Sequence, residues 1–382
     1  MIPLSYNLRN LRVRVRTTLM TALAFALVAS ALVVLLAFVN GVQRVCRVTG
    51  QPENVLALQK GAQEEILSEL DKETIAIMER NAHVLRNGTG HPMASPELFL
   101  VVNYRAAGKD HYDFRQLRGV LPMALEVHTQ IRIVRGHMFQ PHQYELIVGT
   151  RAALQQGIEL GAVLEIGPRQ WRVVGLFEAD GAVFESEFWC DLHQLARTFR
   201  RPELCSTVVL RTAGSAQASQ LAAELNDSRR ISVSAERERF YYQRQAKYLL
   251  TLRAGAFVVA GLMGLGAMFA IGNTMLASIA QRVKDIAMLR VLGFPARDIL
   301  VCFVLESLLI AAAGGAMGTL LACAVDGLGV STPLSGKELA FGFQVDGPIV
   351  AVAAGFTLAL GLLGGVVPAW VAVCRKPRRS LH

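Results

Sequence analysis

Four long apolar stretches, unevenly spaced, constrain what this chain can fold into more than any other feature of its sequence. Each has about the 20 residues that a helix needs to cross the hydrocarbon core of a bilayer. A long run of ordinary polar sequence separates the first stretch from the other three. This layout predicts an α-helical membrane protein with four transmembrane helices (1+3) and a large extracytoplasmic α+β domain inserted between the first and the second. The stretches are Leu19–Val39, Ala254–Leu276, Ile299–Val325 and Ile349–Val373.

Basic residues at the ends of these stretches predict how the chain crosses the membrane. The formal net charge is +9, and 52% of the 382 residues are hydrophobic. The positive-inside rule places both termini and the 277–298 loop in the cytoplasm, and the region 42–248 and the 326–348 loop outside. Because the charge follows the apolar stretches, it indicates a lipid membrane and no nucleic-acid partner. The basic residues are Arg9, Arg12, Arg14, Arg16, Arg282, Lys284, Arg290, Arg297, Arg375, Lys376, Arg378 and Arg379.

The N-terminal segment allows more than one interpretation. Leu4, Leu8, Leu11 and Val15 recur at helical spacing, which fits an amphipathic helix on the inner membrane surface; a plain charged flank fits equally well. The first stretch could also be a signal peptide, but its apolar run is longer than a typical signal core and no small-x-small cleavage site follows. We therefore expect residues 1–41 to contain a cytoplasmic amphipathic helix and a retained first transmembrane helix.

Residues 42–235 read as an α+β domain, and two subdomains are expected because the chain leaves the first and returns to it. A long helix is predicted over Gln59–Arg86, and Gly167-Pro168 predicts a hairpin. The other expected strands are Leu98–Tyr104, Gln130–Val134, Glu145–Val148, Val163–Ile166, Trp171–Phe177, Thr207–Arg211 and Ile231–Ser234, with short helices at Thr150–Gln156 and Ala216–Leu225.

The segment Glu236–Leu252 carries alternating charges and contains neither glycine nor proline. We expect it to run into the second span as one helix, so that residues 236–276 form a stalk and the second transmembrane helix. Its tyrosines partly suit the aromatic belt of an outer membrane interface. A rigid helix of this kind can transmit movement between an external domain and a span. The expected stalk residues are Arg239, Tyr241, Tyr242 and Tyr248.

Small residues recur four positions apart in the spans, a pattern that lets helices approach closely within a bundle or a dimer. They are Ala260 and Gly264, Gly314 and Gly318, and Gly361 and Gly365. Residues 299–375 are expected to hold the third and fourth transmembrane helices around the external loop. Glu306 lies well inside the third stretch, where a carboxylate is costly and often functional, although one near the inner surface or bonded to another helix is structural.

Cysteine and histidine spacing gives no support for a metal or redox centre. Cys190 and Cys205 would face outward and are a possible disulfide with Cys46 left over, or these thiols are free. No C-x-x-C pair occurs, and His137 and His142 lack companion ligands. A phosphate-binding G-x-x-x-x-G-K-S/T loop, a nucleophile elbow and an H-E-x-x-H motif are also missing from the sequence. We expect no catalytic residue, no metal and no cofactor on this chain.

The loop 277–298, between the second and third spans, is the most specific local sequence. Ile279, Val283 and Ile286 form an apolar stripe on a helix whose other face is polar. Gly293 can end this helix in a left-handed cap, and Pro295 can start the next one. The sequence therefore predicts an amphipathic cytoplasmic helix that rests either on lipid or in a groove of a partner protein.

The same loop closely resembles the signature of FtsX-like ABC transporter permeases, the group that includes MacB and LolC/LolE. Asp285 replaces the usual Glu of that signature, and Phe294 replaces the usual Ala. The segments around Gly136, Glu145, Leu160 and Val173 resemble the extracytoplasmic domain of the family, and Pro368-Ala369 with the basic cytoplasmic tail 376–382 resembles its end. The loop residues that match are Gln281, Arg282, Ile286, Leu289, Arg290, Leu292 and Gly293.

The resemblance implies a non-catalytic permease subunit served by a separate ABC ATPase, which would bind ATP and magnesium on the cytoplasmic side. The 277–298 loop would be the coupling helix that docks on this ATPase. Closure of the ATPases would then move the stalk and the outer domain, for export or for lipoprotein, lipid or drug handling by mechanotransmission. The expected coupling residues are Ile279, Gln281, Arg282, Val283, Asp285, Ile286, Met288, Leu289, Arg290 and Gly293.

The resemblance also implies partners and a location. Permeases of this family act in pairs, so a homodimer or heterodimer is expected, with a periplasmic adaptor or lipoprotein carrier as a further partner. The chain would cross the cytoplasmic (inner) membrane several times, with its large domain periplasmic or extracellular. One alternative function is an FtsX-like regulatory subunit that activates a cell-envelope hydrolase. Another is a membrane-anchored receptor or sensor that uses the 42–248 domain alone.

Overall fold

The computed structural model describes residues 15–106, 111–201, 204–245, 248–281, 288, 291–292, 294–334 and 337–374. They fall into two compact units. The helical unit draws on Met1–Gly41, Leu249–Leu328 and Gly342–His382, and the inserted unit on Val42–Tyr248 and Gly329–Phe341. The expected N-terminal amphipathic helix, up to residue 14, and the basic tail 376–382 lie outside the described residues.

Helices and strands are numbered here in chain order. The described helices are α1 (Val15–Val48), α2 (Lys72–Glu79), α3 (Ala124–Val127), α4 (Thr150–Gln156), α5 (Leu192–Thr198), α6 (Ser215–Asp227), α7 (Glu238–Gln245), α8 (Tyr248–Gln281), α9 (Ala296–Cys323) and α10 (Gly347–Cys374). The described strands are β1 (Asn54–Gln59), β2 (Ala94–Ala106), β3 (Asp113–Val120), β4 (Arg132–Gly136), β5 (Glu145–Gly149), β6 (Val163–Ile166), β7 (Arg169–Glu178), β8 (Phe188–Asp191), β9 (Thr207–Arg211), β10 (Val233–Arg237), β11 (Gly329–Leu334) and β12 (Lys337–Gly342). Short 3-10 turns lie at Glu65–Leu67 and Val183–Ser186.

Four of the described helices are long and apolar enough to cross a membrane, judged by length and composition. These segments are Val15–Val48, Thr251–Gln281, Ala296–Cys323 and Gly347–Trp370. Each contains most of one predicted apolar stretch, so the prediction of four apolar helices is confirmed. In the helical unit, buried side chains of α1, α8 and α9 meet in one cluster that includes Phe25, Ile271 and Phe303.

Small residues sit where helices of the helical unit come closest. A Cβ added at Gly318 of α9 would overlap the carbonyl oxygen of Ala26 in α1, and one at Gly314 would lie 2.7 Å from Phe25 Cβ. At both places only a residue without a side chain lets α9 and α1 approach this closely. The other predicted packing residues have close neighbours in the same unit: Gly264 faces Leu360, Gly361 faces Ala311, Gly365 faces Ser307, and Ala260 is buried.

The inserted unit is built on one ten-stranded sheet in the order β10-β1-β9-β2-β3-β8-β5-β7-β4, with β6 paired to β2 and β7. Four of these strands, β1, β2, β9 and β10, lie in the order β10-β1-β9-β2, and all neighbours among them are antiparallel. With α2 after β1 and α6 after β9, this is the ferredoxin-like βαββαβ arrangement. The segment between β2 and β9 is an insertion within it.

Strand β2 carries the sheet from the ferredoxin-like part into the insertion. Its first residues, Ala94 to Glu97, pair with β9, and Leu98 to Tyr104 pair with β3. The chain does leave the first part and return to it, as expected. However, the two parts share one continuous sheet, and the prediction of two subdomains did not anticipate this.

The two faces of this sheet carry separate cores. Phe188 and Cys190 of β8 belong to one cluster, and Trp189 between them belongs to the other. This alternation is what a strand buried on both faces requires. The second cluster also contains Phe177, Phe184, Tyr241 and Tyr242. Residues from the last helix of the inserted unit, α7, therefore complete the core on that face.

Several local predictions are confirmed. Val163–Ile166 and Arg169–Glu178 form the expected antiparallel hairpin. Helix α4 covers Thr150–Gln156 as predicted and ends at Gly157, whose φ of 65° is the left-handed value that favours glycine.

The predicted helix over Gln59–Arg86 is wrong. Gln59 ends β1, a 3-10 turn follows at Glu65–Leu67, and the α-helix is confined to Lys72–Glu79. Asp71 caps that helix, because its side chain accepts a hydrogen bond from Thr74 N. The cap at Asp71 therefore starts a short helix in the middle of the charged segment for which one long helix was predicted.

The predicted helix from Glu236 is also wrong at its start. Glu236 and Arg237 belong to β10, where they pair with Leu56 and Val55 of β1, and α7 begins at Glu238. The inserted unit accordingly extends to Tyr248 instead of ending at residue 235. Alternating charges do not distinguish a solvated helix from an edge strand, because in both of them at least half of the side chains can face solvent.

The possible Cys190–Cys205 disulfide is not formed. Both cysteines are free and buried, and Cys46 is buried as well. Cys190 lies in β8 opposite Gly119 and Leu146, whereas Cys205 forms a bridge with Leu70 outside the named strands. The two cysteines therefore pair with different segments of the chain, and the alternative of free thiols is the one observed.

Candidate functional site

The predicted coupling segment follows the end of α8. Among its residues, Ile279, Gln281 and Met288 are described, and Arg282, Val283, Asp285, Ile286, Leu289, Arg290 and Gly293 lie outside the described residues. Ile279 is only 2% exposed and packs with the core cluster of the helical unit. It therefore contacts its own chain and does not belong to an exposed apolar stripe, which corrects the prediction for this residue.

Apolar residues at the end of the same segment are exposed. Met288 is 64% exposed, Val291 83% and Leu292 69%. Leu292 N donates a 2.9 Å hydrogen bond to Met288 O, as in one turn of helix. Neighbouring apolar side chains left in solvent are typical of a contact surface for another molecule. Val291 and Leu292 were not among the predicted coupling residues, although Leu292 matches the signature that the loop resembles.

A cleft of about 620 Å³ in the helical unit contains Glu306. Polar side chains of α1 and α8 line it, among them Thr21, Asn273 and Gln281, together with apolar Ile310. Glu306 itself is buried and Ser307 beside it is buried as well. Glu306 therefore lies between helices, beside polar side chains of α1 and α8.

The start of α7 is packed into the core of the inserted unit. Tyr241 and Tyr242 are fully buried, and their rings meet edge to face at 5.1 Å. Tyr242 also meets Phe184 at 5.9 Å, and Tyr241 Oη accepts a hydrogen bond from Glu65 N. The suggestion that these two tyrosines mark an aromatic belt is therefore wrong. Arg239 is exposed, and the side chain of Tyr248 lies outside what the structure describes.

A buried cluster of charges lies beside these rings, centred on Arg118 of β3. Its guanidinium donates to Glu187 through two hydrogen bonds of 2.7 and 2.8 Å, to Glu97 at 2.7 Å and to Glu65 at 2.8 Å. All four side chains are essentially inaccessible to solvent. Trp189 Nε1 donates a further hydrogen bond to Glu187. Buried charges of this kind are tolerated because each carboxylate is both paired and hydrogen-bonded.

His128 extends the cluster to α7. It follows α3, and its Nε2 lies 2.7 Å from Glu97 Oε1 while its Nδ1 lies 3.6 Å from Glu238 Oε1. Glu238 is the first residue of α7, and its other oxygen, Oε2, accepts from Gln51 N at 3.0 Å and from Asn54 Nδ2 at 2.9 Å. Glu238 therefore joins α7 to β1, to the segment just before β1 and to the end of α3.

The cluster shifts the pKa values of its members in directions that follow from its geometry. Burial alone would lower the pKa of His128, but the charges of Glu97 and Glu238 outweigh burial and raise it. Burial raises the pKa of Glu238, and the opposing effects of His128, Gln51 and Asn54 do not cancel that rise. For Glu97 the balance is reversed: His128 and Arg118 outweigh burial, and the pKa is lowered.

Sequence reasoning missed this cluster entirely. Its members are separated by long stretches of chain, and each one, taken alone, has the appearance of an ordinary surface charge. Arg118 lies in β3 and Glu187 directly precedes β8, and neither position indicates burial by itself.

Two family models match the chain over separate ranges. A model described as the MacB-like periplasmic core domain matches residues 18–228, and one described as the FtsX-like permease C-terminal matches residues 257–377. The first match alone covers more than half of the chain.

Curated relatives carry the same names. The macrolide export ATP-binding/permease protein MacB of Bdellovibrio bacteriovorus is 25% identical over 294 residues, which cover 70% of this chain and 44% of the relative. The protein of the same name from Brucella abortus is 34% identical over 134 residues, covering 35% of this chain and 18% of the relative. The chain thus spans less than half the length of these relatives.

Among solved structures, the periplasmic region of MacB from Actinobacillus actinomycetemcomitans resembles this chain at 11% identity and a TM-score of 0.40, covering 52% of this chain and 94% of that region. That likeness is too low to add to the family models. On the strength of those models, the chain belongs to the MacB/FtsX-like permease family of ABC transporters.

Proposed function

We propose that this chain is the permease subunit of an ABC transporter in which a separate ATPase subunit, binding ATP and magnesium, drives movement of the inserted unit. The observation that carries the proposal is the anchoring of α7. Glu238, Tyr241 and Tyr242 are all buried in the inserted unit, and α7 directly precedes the second candidate span in the chain. Close-packed interiors transmit displacement instead of absorbing it. A shift of this helix would therefore be passed to the sheet on which it packs.

The ATPase would dock on the segment between α8 and α9. Its exposed apolar residues Met288, Val291 and Leu292 support a contact with another protein. In this proposal both termini and that segment face the cytoplasm, and the inserted unit lies on the opposite side of an inner membrane. A second permease copy, identical or related, would complete the transporter, with a periplasmic adaptor or lipoprotein carrier as a further partner.

The work proposed for this transporter is export, or lipoprotein, lipid or drug handling, by mechanotransmission. The curated relatives are named for macrolide export, which favours this class of cargo over activation of a cell-envelope hydrolase. The match of residues 18–228 to the MacB-like core domain supports the same choice, because the inserted unit is the part that would meet a cargo.

The docking proposal is tested by co-expressing the full chain with a defined candidate ABC ATPase and measuring their affinity and ATPase rate in detergent or nanodiscs. Ile286→Asp and Leu289→Asp place a charge on the proposed docking helix. We expect each to weaken binding by at least about tenfold, equivalent to about 1.4 kcal/mol.

Leu154→Asp is the matched control, because Leu154 is an exposed leucine of the inserted unit, 86% accessible. It should leave ATPase binding unchanged. Full binding by the Ile286→Asp and Leu289→Asp double variant would refute the proposal. Labelling of residues 278–293 by a membrane-impermeant reagent from outside the cell would refute it as well.

A further inference from the structure

The contact between His128 and Glu238 differs from every other contact in the buried charge cluster. His128 Nδ1 and Glu238 Oε1 face each other at 3.6 Å, which is close enough for an ion pair but long for a hydrogen bond. Within the described part of the chain neither atom has any other hydrogen-bond partner, and Asn54 Oδ1 in the same cluster also lacks one. All three side chains are fully buried.

The position of one proton decides whether this contact attracts or repels. His128 already uses Nε2 on Glu97, so a neutral imidazole that donates there presents a bare acceptor at Nδ1. An ionised Glu238 also presents only acceptors. With a proton between them, Nδ1 and Oε1 form a charge-assisted contact; without it, two lone pairs face each other in a dry interior, where an unpaired polar group costs most.

The surroundings exclude water and concentrate charge at this point. The His128 ring is covered by Phe184 and Trp189, which meet it edge to face at 5.1 and 5.6 Å. Arg118 shares the buried space with the carboxylates of Glu65, Glu97, Glu187 and Glu238, so the cluster has an excess of negative charge that favours the uptake of a proton. The charged groups that act on His128 are Glu97 from β2, Glu238 from α7 and Arg118 from β3. Glu65, Glu187 and Tyr242 interact with these groups within the same cluster.

We propose that His128 and Glu238 form a proton-dependent latch, in which a proton held between Nδ1 and Oε1 fastens the first turn of α7 to the body of the inserted unit. Loss of this proton loosens the start of the helix. The raised pKa values of both groups agree with this sign. A group whose pKa is raised on folding stabilises the fold below its unfolded value, about 6.5 for histidine, and that stabilisation disappears as the pH rises through the folded value.

The latch is a property of the inserted unit and does not depend on a docked ATPase. If α7 is also the path by which the proposed ATPase moves that unit, the pH outside the membrane would set how firmly the path is connected. A pH below the pKa of His128 in the folded protein would hold α7 in place, and a pH above it would release the first turn of this helix.

The test is amide hydrogen exchange of the full chain in nanodiscs, measured from pH 6 to 9 and corrected for the intrinsic pH dependence of exchange. Protection of the α7 amides, residues 238–245, should fall as the pH rises, by up to about tenfold per unit while one proton is being released. Glu238→Gln keeps the shape of the side chain, and its amide can donate to a neutral His128. We expect this variant to lose the pH dependence while remaining folded.

His83→Gln is the matched control, since His83 also pairs with a carboxylate, that of Glu224, but at the protein surface. It should leave the α7 profile unchanged. A second measurement follows the His128 imidazole directly by NMR in protein labelled at histidine, where it should titrate above 6.5. The latch is refuted if His128 titrates at or below 6.5, or if Glu238→Gln retains the full pH dependence of α7.

Discussion

Arg118 and Glu187 form a bidentate ion pair inside the inserted unit. Arg118 Nε lies 2.7 Å from Glu187 Oε2, and a terminal guanidinium nitrogen lies 2.8 Å from Glu187 Oε1. Arg118 lies in β3, and Glu187 is the residue just before β8. These two strands are parallel neighbours in the sheet. The same guanidinium also serves Glu65 and Glu97. One cation therefore neutralises carboxylates from three further elements, and its pKa is held well above the ordinary value by them in spite of burial.

Replacing Arg118 should destabilise the inserted unit strongly. Arg118→Leu fills much of the same space but leaves three buried carboxylates without their cation, which typically costs about 3–5 kcal/mol. We expect this loss in denaturant unfolding followed by tryptophan fluorescence, since Trp171 and Trp189 are both buried in the unit. Arg132→Leu is the control, because Arg132 pairs with Asp180 at the surface and should change stability by less than about 1 kcal/mol. Equal effects of the two substitutions would show that the buried cluster is not a stabilising element.

The helix cap at Asp71 predicts a smaller, acid-dependent effect. Asp71 Oδ1 accepts from Thr74 N at 2.7 Å, and these hydrogen bonds lower the pKa of its carboxyl group below 3.8. A lowered pKa means that the stabilisation is present above the unfolded value and is lost as the pH falls through the folded value. Asp71→Ala should cost about 1 kcal/mol at neutral pH.

Asp71→Asn separates the cap from its charge. Asparagine also accepts at an N-cap, so most of the stability at neutral pH should remain, while the loss below pH 4 that comes from this residue should disappear. Glu73→Ala, in the same first turn, provides the comparison. Thermal unfolding at pH 3 and pH 7 measures all of these effects, and identical acid sensitivity in wild type and Asp71→Asn would contradict the assignment.

Some of this architecture could be predicted because its causes are local. Two examples are the apolar runs that are long enough to span a membrane and Gly157, which ends α4 in a left-handed conformation. Each depends only on residues that are close in the sequence, and both predictions are confirmed. Strand β3 was not predicted, because its interior positions include Arg115, Gln116 and Arg118, which are polar yet buried. The burial of Arg118 depends on partners such as Glu65 and Glu187, and no pattern within the strand itself contains that information.

The candidate site likewise has features that the sequence predicts and features that it does not. The sequence indicates that residues near 240 lead into a span, since charge and hydropathy change there. It does not indicate that Tyr241 and Tyr242 face the core, because alternating charges suit a solvated stalk equally well. Nor does it pair His128, which follows α3, with Glu238, the first residue of α7, because the two residues are far apart in the sequence. Local periodicity predicts elements; the contacts that give the site its properties are between elements.

Close helix packing predicts opposite effects for two glycines of the helical unit. Gly318→Ala would drive a Cβ into the Ala26 carbonyl oxygen, and overpacking of this kind typically costs about 1–3 kcal/mol. Gly355→Ala meets nothing within 4 Å, so it should be neutral or should stabilise α10 by under about 1 kcal/mol through helix propensity. Thermal unfolding of the full chain in one detergent, followed by helical circular dichroism, compares them. Equal midpoints for the two variants would mean that α9 and α1 are not in close contact.

The free thiols of the inserted unit predict resistance to both reductant and labelling. Cys190 and Cys205 are unpaired and buried, and burial raises the pKa of each thiol, to about 12 for Cys205. Thiolate is the reactive form, so neither should react with a maleimide at pH 7 while the unit is folded. In a variant that retains only these two cysteines, we expect full labelling in denaturant and almost none without it. Adding Leu154→Cys to that variant supplies an exposed thiol as the positive control. A disulfide would instead leave the denatured protein unlabelled until reductant is added, and would make the midpoint of unfolding fall on reduction; either result would contradict the structure.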